Sequence, residues 1–283
     1  MARIVHLSDL HFGAHDERLV EAVEASVDAL APDLVVISGD FTQRARTDQF
    51  KQACEFLARL NSRGHEVLGV PGNHDVPLYD VLRRFLSPLT RYRRYIDDSL
   101  CPFHEIAGAA VLGINTARSL TFKDGRINQN QVDFIRDTFA RTRSDTVRVL
   151  VTHHPLFALP VGDGPELGKA IGRQQLALDA IAEAGVDLLL AGHNHRASAH
   201  HAHELATGAG PALVIQAGTA TSTRLREEQQ SFNLIEAAPG RVAVTVQSWD
   251  GTEFAPCDAG RFVQGDKSWT SMTGEHLAEA PEA

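Results

Sequence analysis

Five short apolar runs in this chain end on groups that can bind a metal or move a proton. "RIVHLSDLH" from Arg3 ends with Asp9 and His11, and "LVVISGD" from Leu34 ends with Asp40. "EVLGVPGNHD" from Glu66 carries Asn73, His74 and Asp75, and "VRVLVTHHP" from Val147 carries His153 and His154. "DLLLAGHNH" from Asp187 stops at His193 and His195. An imidazole beside a core is costly unless something binds it, and five repetitions make accident a poor explanation. Carboxylate, amide and imidazole without thiolate suit manganese, iron or zinc in a mixed oxygen–nitrogen site, not calcium or a structural thiolate zinc.

Such groups act together only if the elements bearing them share a rim. The runs have the length and β-branched content of buried strands. Between them apolar residues recur at helical spacing: Leu19, Val23, Val27 and Leu30; Phe50, Cys54, Leu57 and Leu60; then Val132, Ile135 and Phe139. Asn128 or Asn130 would cap the third helix. Alternating strands and helices predict a largely parallel sheet, and ligands to such sheets bind beyond the carboxyl ends of the strands. Four later runs, from Ala109, Ala212, Phe232 and Arg241, predict strands that form or complete a second sheet. The expected organisation is one domain over residues 1–250 and a C-terminal extension over 251–283 with a disordered end.

Composition narrows the classes. The chain has 283 residues, 43% of them hydrophobic and 22% charged, with a formal net charge of -9. General attraction to nucleic acid or anionic membrane is therefore not expected. No run is long enough to span a bilayer, and "MARIVHLSDLH" turns polar too soon for a signal peptide. Cys54, Cys101 and Cys257 make neither a zinc knuckle nor a disulfide framework, so a cytoplasmic location is expected. His6, His15, His65, His104 and His276 read as ordinary histidines, and His200, His201 and His203 as a solvated turn.

In order, "DLH" at Asp9–His11, "GD" at Gly39–Asp40, "GNHD" at Gly72–Asp75, "HHP" at His153–Pro155 and "GHNH" at Gly192–His195 resemble the motifs of the calcineurin-like metallophosphoesterases. The resemblance covers about residues 3 to 197 and is nearest to the bacterial class III cyclic-nucleotide phosphodiesterases and their glycerophosphodiesterase relatives. It implies an α/β fold, a layered α-β-β-α sandwich of two mixed sheets with the metal site at the carboxyl ends of the strands. It also implies two divalent ions per chain, manganese or iron before zinc. Asp9, His11 and His195 would hold one ion, Asn73, His153 and His193 the other, and Asp40 would bridge them. A hydroxide held by the metals would attack phosphorus. His74 would act as general acid, and Asp75 would fix its tautomer or serve as a plain turn residue.

The expected function is hydrolysis of a small phosphodiester, with a 3',5'-cyclic nucleotide as first candidate. Alternatives are a pyrophosphatase or nuclease of the same fold, or a non-catalytic metal-binding module. Lipid A pyrophosphatases resemble "GNRD" where this chain has "GNHD", and nucleases of the family usually append DNA-grasping domains. Intact ligand positions count against the module. Substrate contacts are sought at His154 and at Arg91, Arg93 and Arg94. These arginines lie among aromatics in a segment that reads equally as a solvated face or a dimer contact. The loop Leu156–Ala170 would border the cleft. No stable nucleic-acid partner is expected, and a homo-oligomer is compatible with the sequence.

Overall fold

Each predicted run is a strand in the computed structural model, which describes residues 1–121, 124–158, 170–205, 210–223, 229–265 and 268–272. The order is β1 (Ala2–Leu7), α1 (Glu17–Leu30), β2 (Leu34–Ile37), α2 (Thr47–Ser62), β3 (Val67–Gly69), α3 (Val81–Leu86), α4 (Thr90–Tyr95), β4 (Phe103–Ile106) and β5 (Ala109–Gly113). Then follow α5 (Gln129–Phe139), β6 (Val147–Val151), α6 (Gln174–Ala184), β7 (Leu188–Ala191), β8 (Ser198–His201), α7 (Ala202–Leu205) and β9 (Leu213–Gln216). The last strands are β10 (Ser231–Ala238), β11 (Arg241–Trp249), β12 (Phe254–Gln264) and β13 (Trp269–Ser271).

The strands form two mixed sheets, ordered β13-β12-β11-β10-β1-β2-β3 and β4-β5-β6-β7-β9-β8. The period of two along each strand divides the core into three layers. On β1, Val5 and Leu7 pack with α1 and α2, while Ile4 faces the other sheet. Ile4 stands opposite Leu34 and Ile235, and the inter-sheet core continues through Val149, Leu190 and Ile215. Leu112, Leu150 and Leu189 face α5 and α6 instead. This is the α-β-β-α sandwich that the motifs imply. Truncating such a buried side chain to Ala costs about 2–5 kcal/mol.

Local signals set the helix starts. Asp16 caps α1 through Arg18 N. Asn128, one of the two expected caps, opens α5 in a capping box with Gln131.

Four expectations need correction. The five site-bearing runs do not share one sheet: β1, β2 and β3 lie in the first, β6 and β7 in the second. The later runs divide as well, with β5 and β9 in the second sheet and β10 and β11 extending the first antiparallel to β1. Apolar content alone does not distinguish a parallel from an antiparallel neighbour. Residue 250 is not the edge of the fold either, because β12 pairs along β11 and β13 along β12. Residues 273–283, where the disordered end was expected, lie outside the described residues. Finally, His200 and His201 are not in a turn but in β8, paired with β9.

Candidate metal centre

The two sheets turn their carboxyl ends to a common rim, where the loops after β1, β2, β3, β6 and β7 meet. Asp9, His11, Asp40, His193 and His195 have φ of 53, 50, 53, 72 and 58°. Left-handed backbone costs a non-glycine residue on the order of 1–3 kcal/mol and persists only where the surroundings impose it. Only three other described non-glycine residues have positive φ: Ala31, Ala45 and Arg173. The sharp turns aim consecutive side chains inward. Gly192 permits the closest approach, since a Cβ there would strike Ser8 Oγ and lie 2.7 Å from Asp9 Oδ2.

Two groups form, one around the Asp9 carboxylate and one around the Asn73 amide oxygen. His195 Nε2 lies 3.1 Å from Asp9 Oδ1 and 3.2 Å from His11 Nε2, and His11 Nε2 lies 3.6 Å from Asp9 Oδ1. Asn73 Oδ1 lies 3.1 Å from His153 Nε2 and 3.0 Å from His193 Nδ1, and those two nitrogens are 3.3 Å apart. Between the groups, Asp40 Oδ2 is 3.4 Å from His153 Nε2 and 3.9 Å from His11 Nε2. All seven expected ligands therefore converge. Ring nitrogens meet ring nitrogens across about 3.2 Å, and Asp9 Oδ1 is buried without a hydrogen bond. Donor atoms packed this closely can hold a cation between them, and the carboxylate, amide and imidazole set fits divalent metal ions.

The electrostatics agree. Burial alone would raise the Asp9 and Asp40 carboxyls, yet neighbouring histidines hold both well below the usual carboxylate range. Burial opposes a charge on His153, but the Asp40 carboxylate overrides it and pushes the imidazole up to about 9. Burial pushes His11 down to about 4. Two buried carboxylates thus draw positive charge to the cluster, and a metal replaces protons there.

His74 stands beside the cluster, its ring edge-on to His11 at 4.9 Å. Its Nδ1 donates to Gln43 O at 2.8 Å, and its backbone N donates to Asp40 Oδ1 at 2.8 Å. Asp75 does not fix that tautomer. Its carboxylate accepts from Thr42 N and Oγ1, both at 2.9 Å, from Gly72 N at 2.9 Å and from Phe41 N at 3.2 Å. It clamps the loop after β3 to the loop after β2.

His154 is buried at the other end, its ring 4.8 Å from those of His153 and His193. Nδ1 meets Thr116 Oγ1 at 2.8 Å, whereas Nε2 has no hydrogen-bond partner and the residue lines a cavity of about 220 Å³ with His193 and Asn194. The arginines have other partners. Arg91 Nη1 donates to Ala45 O at 2.7 Å, Arg93 pairs with Asp98 at 3.1 Å, and Arg94 lies over the Tyr95 ring at 5.5 Å. Of the three, only Arg93 lines the large cleft beside the site. Of the loop Leu156–Ala170, residues 159–169 lie outside the described residues.

Several supporting residues escape a reading by motif. Ser8 Oγ donates to Asp9 Oδ2 at 2.6 Å, and Ser38 O accepts from His153 Nδ1 at 2.8 Å. Both could have been suspected, because they adjoin the motifs in "SDLH" and "SGD". Gln43, Thr116 and Thr219 give no such signal. Thr219 Oγ1 donates to Asp9 O at 2.7 Å across a separation of 210 residues, a contact that only the tertiary fold creates.

A two-sheet sandwich with a carboxylate–imidazole cluster on its carboxyl rim is the architecture of a metal-dependent phosphoesterase. Residues 2–197 match the calcineurin-like phosphoesterase family, and the chain belongs to it. Over 282 residues it is 26% identical to a cAMP/cGMP dual specificity phosphodiesterase of Mycobacterium tuberculosis, covering 88% of this chain and 80% of that protein. A UDP-2,3-diacylglucosamine pyrophosphatase of Chlamydia muridarum is 33% identical over 78 residues, 27% of this chain and 23% of that one. The fold resembles a purple acid phosphatase of yellow lupin, with TM-score 0.70 and 12% identity over 91% of this chain and 53% of that one. This chain thus spans about half of the lupin enzyme. A dimetal phosphatase of Danio rerio superposes with TM-score 0.62 and 14% identity, over 90% of this chain and 98% of that one. No helix among the described residues is long and apolar enough to cross a membrane.

Proposed function

We propose that this chain is a binuclear metal-dependent phosphodiesterase acting on a small substrate, with a 3',5'-cyclic nucleotide as first candidate. The observation that carries the reading is the position of Asp40, its Oδ2 within 3.9 Å of a nitrogen from each ligand group. Asp9, His11 and His195 would hold one ion, and Asn73, His153 and His193 the other. Divalent ions so placed polarise phosphoryl oxygens and bring the pKa of a bound water towards about 7.

The residues themselves supply position and a proton. His74 N donates to Asp40 Oδ1, which leaves Oδ2 directed at the metal positions. Gln43 O holds Nδ1–H of His74, so Nε2 is the atom that can carry a proton to a departing alkoxide. His154 Nε2, buried and without a partner, is available to a non-leaving phosphoryl oxygen. The mycobacterial likeness along most of the chain supports a cyclic nucleotide, and the shorter pyrophosphatase likeness supports a diphosphate as second reading. "GNHD" in place of "GNRD" counts against the second.

Manganese-loaded protein should be screened against cyclic nucleotides, glycerophosphodiesters, UDP-diacylglucosamine and bis(p-nitrophenyl) phosphate. Asp40→Ala should lose at least one metal by elemental analysis and all turnover. Two retained metals with a normal rate would overturn the binuclear assignment.

A further inference from the structure

Three arginines lie together at one end of the cluster, and the chemistry above uses none of them. Arg118 belongs to the loop after β5, Arg126 to the stretch before α5, and Arg173 to the start of α6. Backbone bonds fix these segments to one another: Arg126 N to Thr116 O at 3.1 Å, Gly172 N to Gly125 O at 2.9 Å, and Ile127 N to Gly172 O at 3.3 Å. Arg118 Nε reaches Arg126 O at 3.4 Å. The ribbon rests on His154, since a Cβ on Gly125 would lie 2.5 Å from His154 Cγ. The arginines therefore sit at the His154 end, whereas His74 packs on His11 at the other.

Grouping like charges is costly without an anion to receive. Partial burial and the charges of Arg126 and Arg173 push the Arg118 guanidinium down from its ordinary value. Several arginines of this acidic chain pair with carboxylates, among them Arg18 with Asp16, Arg63 with Glu24 and Arg143 with Asp145. Among the described residues, none of these three arginines has such a partner. Arg173 also holds a φ of 64°, backbone strain of the kind that marks functional positions. Arg118 lines a cleft of about 620 Å³ that reaches Val76, two residues past His74, and Asn115, next to Thr116. That space lies beyond what one phosphoryl group fills.

We propose that Arg118, supported by Arg126 and Arg173, is a subsite for a second anionic group of the substrate. This inference rests on the phosphodiesterase reading and sets a multiply charged substrate ahead of the cyclic nucleotide. A leaving group protonated by His74 departs at the His11 end, so the second anion belongs to the half that stays on phosphorus. The favoured substrate is a phosphodiester or diphosphate carrying a further phosphate or carboxylate on that half. A 3',5'-cyclic mononucleotide, with its single charge, would leave the subsite empty.

Two inhibitor series test this on metal-loaded protein: n-alkyl phosphates, and the same chains ending in a carboxylate or a second phosphate. Inhibition of bis(p-nitrophenyl) phosphate turnover is read together with calorimetric binding. At one chain length the added charge should tighten binding about tenfold, the scale of a charge-assisted bidentate contact, and the gain should shrink with salt. Carboxylate and phosphate ends distinguish the kind of anion. Arg118→Ala should bring the ratio between charged and uncharged ends close to one, and Arg118→Lys should restore part of it. No gain at any length, or a ratio that survives Arg118→Ala, would overturn the proposal. So would an equal loss for both series, which marks a structural role. If calorimetry shows the gain while the aryl diester is not hydrolysed, the subsite stands and the phosphodiesterase reading fails.

Discussion

His74 is held from two sides, through Nδ1 by Gln43 O and through its backbone by Asp40, and it contributes nothing to either ligand group. On the proposed binuclear reading, His74→Ala should therefore keep both metals while the rate falls by about 10²–10⁴, the scale of a lost general acid. The fall should be steep for a ribose 3'-oxygen leaving group and shallow for a nitrophenolate, which departs without a proton. Paired rates at one pH, with metal content measured, check this; equal losses with metals intact would make His74 a phosphate-positioning group. At this scale the sequence was legible where spacing carries chemistry. The seven ligand types stand at strand ends, and all seven meet. Asp75 was not legible, because a carboxylate next to a histidine in sequence can face backbone amides of another loop. Nor were the partners of Arg91, whose guanidinium serves a carbonyl 46 residues away.

Strands and helices were legible from period and caps, but their grouping into sheets was not, since nothing in the runs themselves says that β10 pairs antiparallel with β1. His6 on β1 shows what the inter-sheet layer demands. It is fully buried, with Nε2 2.9 Å from Ser38 Oγ, and burial pushes its pKa down to about 3 against the opposing charge of Asp9. Folded, it stays neutral; unfolded, it takes up a proton near 6.5. Stability from this group is complete above about 6.5 and is lost as pH falls, by up to about 1.4 kcal/mol per pH unit until the folded state also protonates near 3. His6→Asn should thus show a shallower loss of urea-unfolding stability between about pH 6 and pH 4 than the parent, both free of metal. Equal slopes would assign the acid sensitivity elsewhere.

Across the whole molecule, every proposed metal ligand lies within the first 195 residues, and the family match ends at 197. Yet β1 stands in mid-sheet, its far edge occupied by β10, while Thr219 and Thr221 hold the carbonyls of Asp9 and Leu10, each at 2.7 Å. A chain cut after residue 197 should keep all the ligands and still bind metal at least tenfold more weakly, with little protection of β1 amides from hydrogen exchange. Full-strength binding by that fragment would show that the later strands are dispensable. The same arrangement governs the nascent chain. On the ribosome, β1 emerges well before β10, and this partner follows some 230 residues later, about 10–50 s at ordinary rates of synthesis. For that interval β1 is an open β edge beside half-built metal ligands, exposed to other strands and to stray ions. A chaperone or a pause that shields residues 2–11 until β10 arrives should raise the yield of active enzyme more than later assistance.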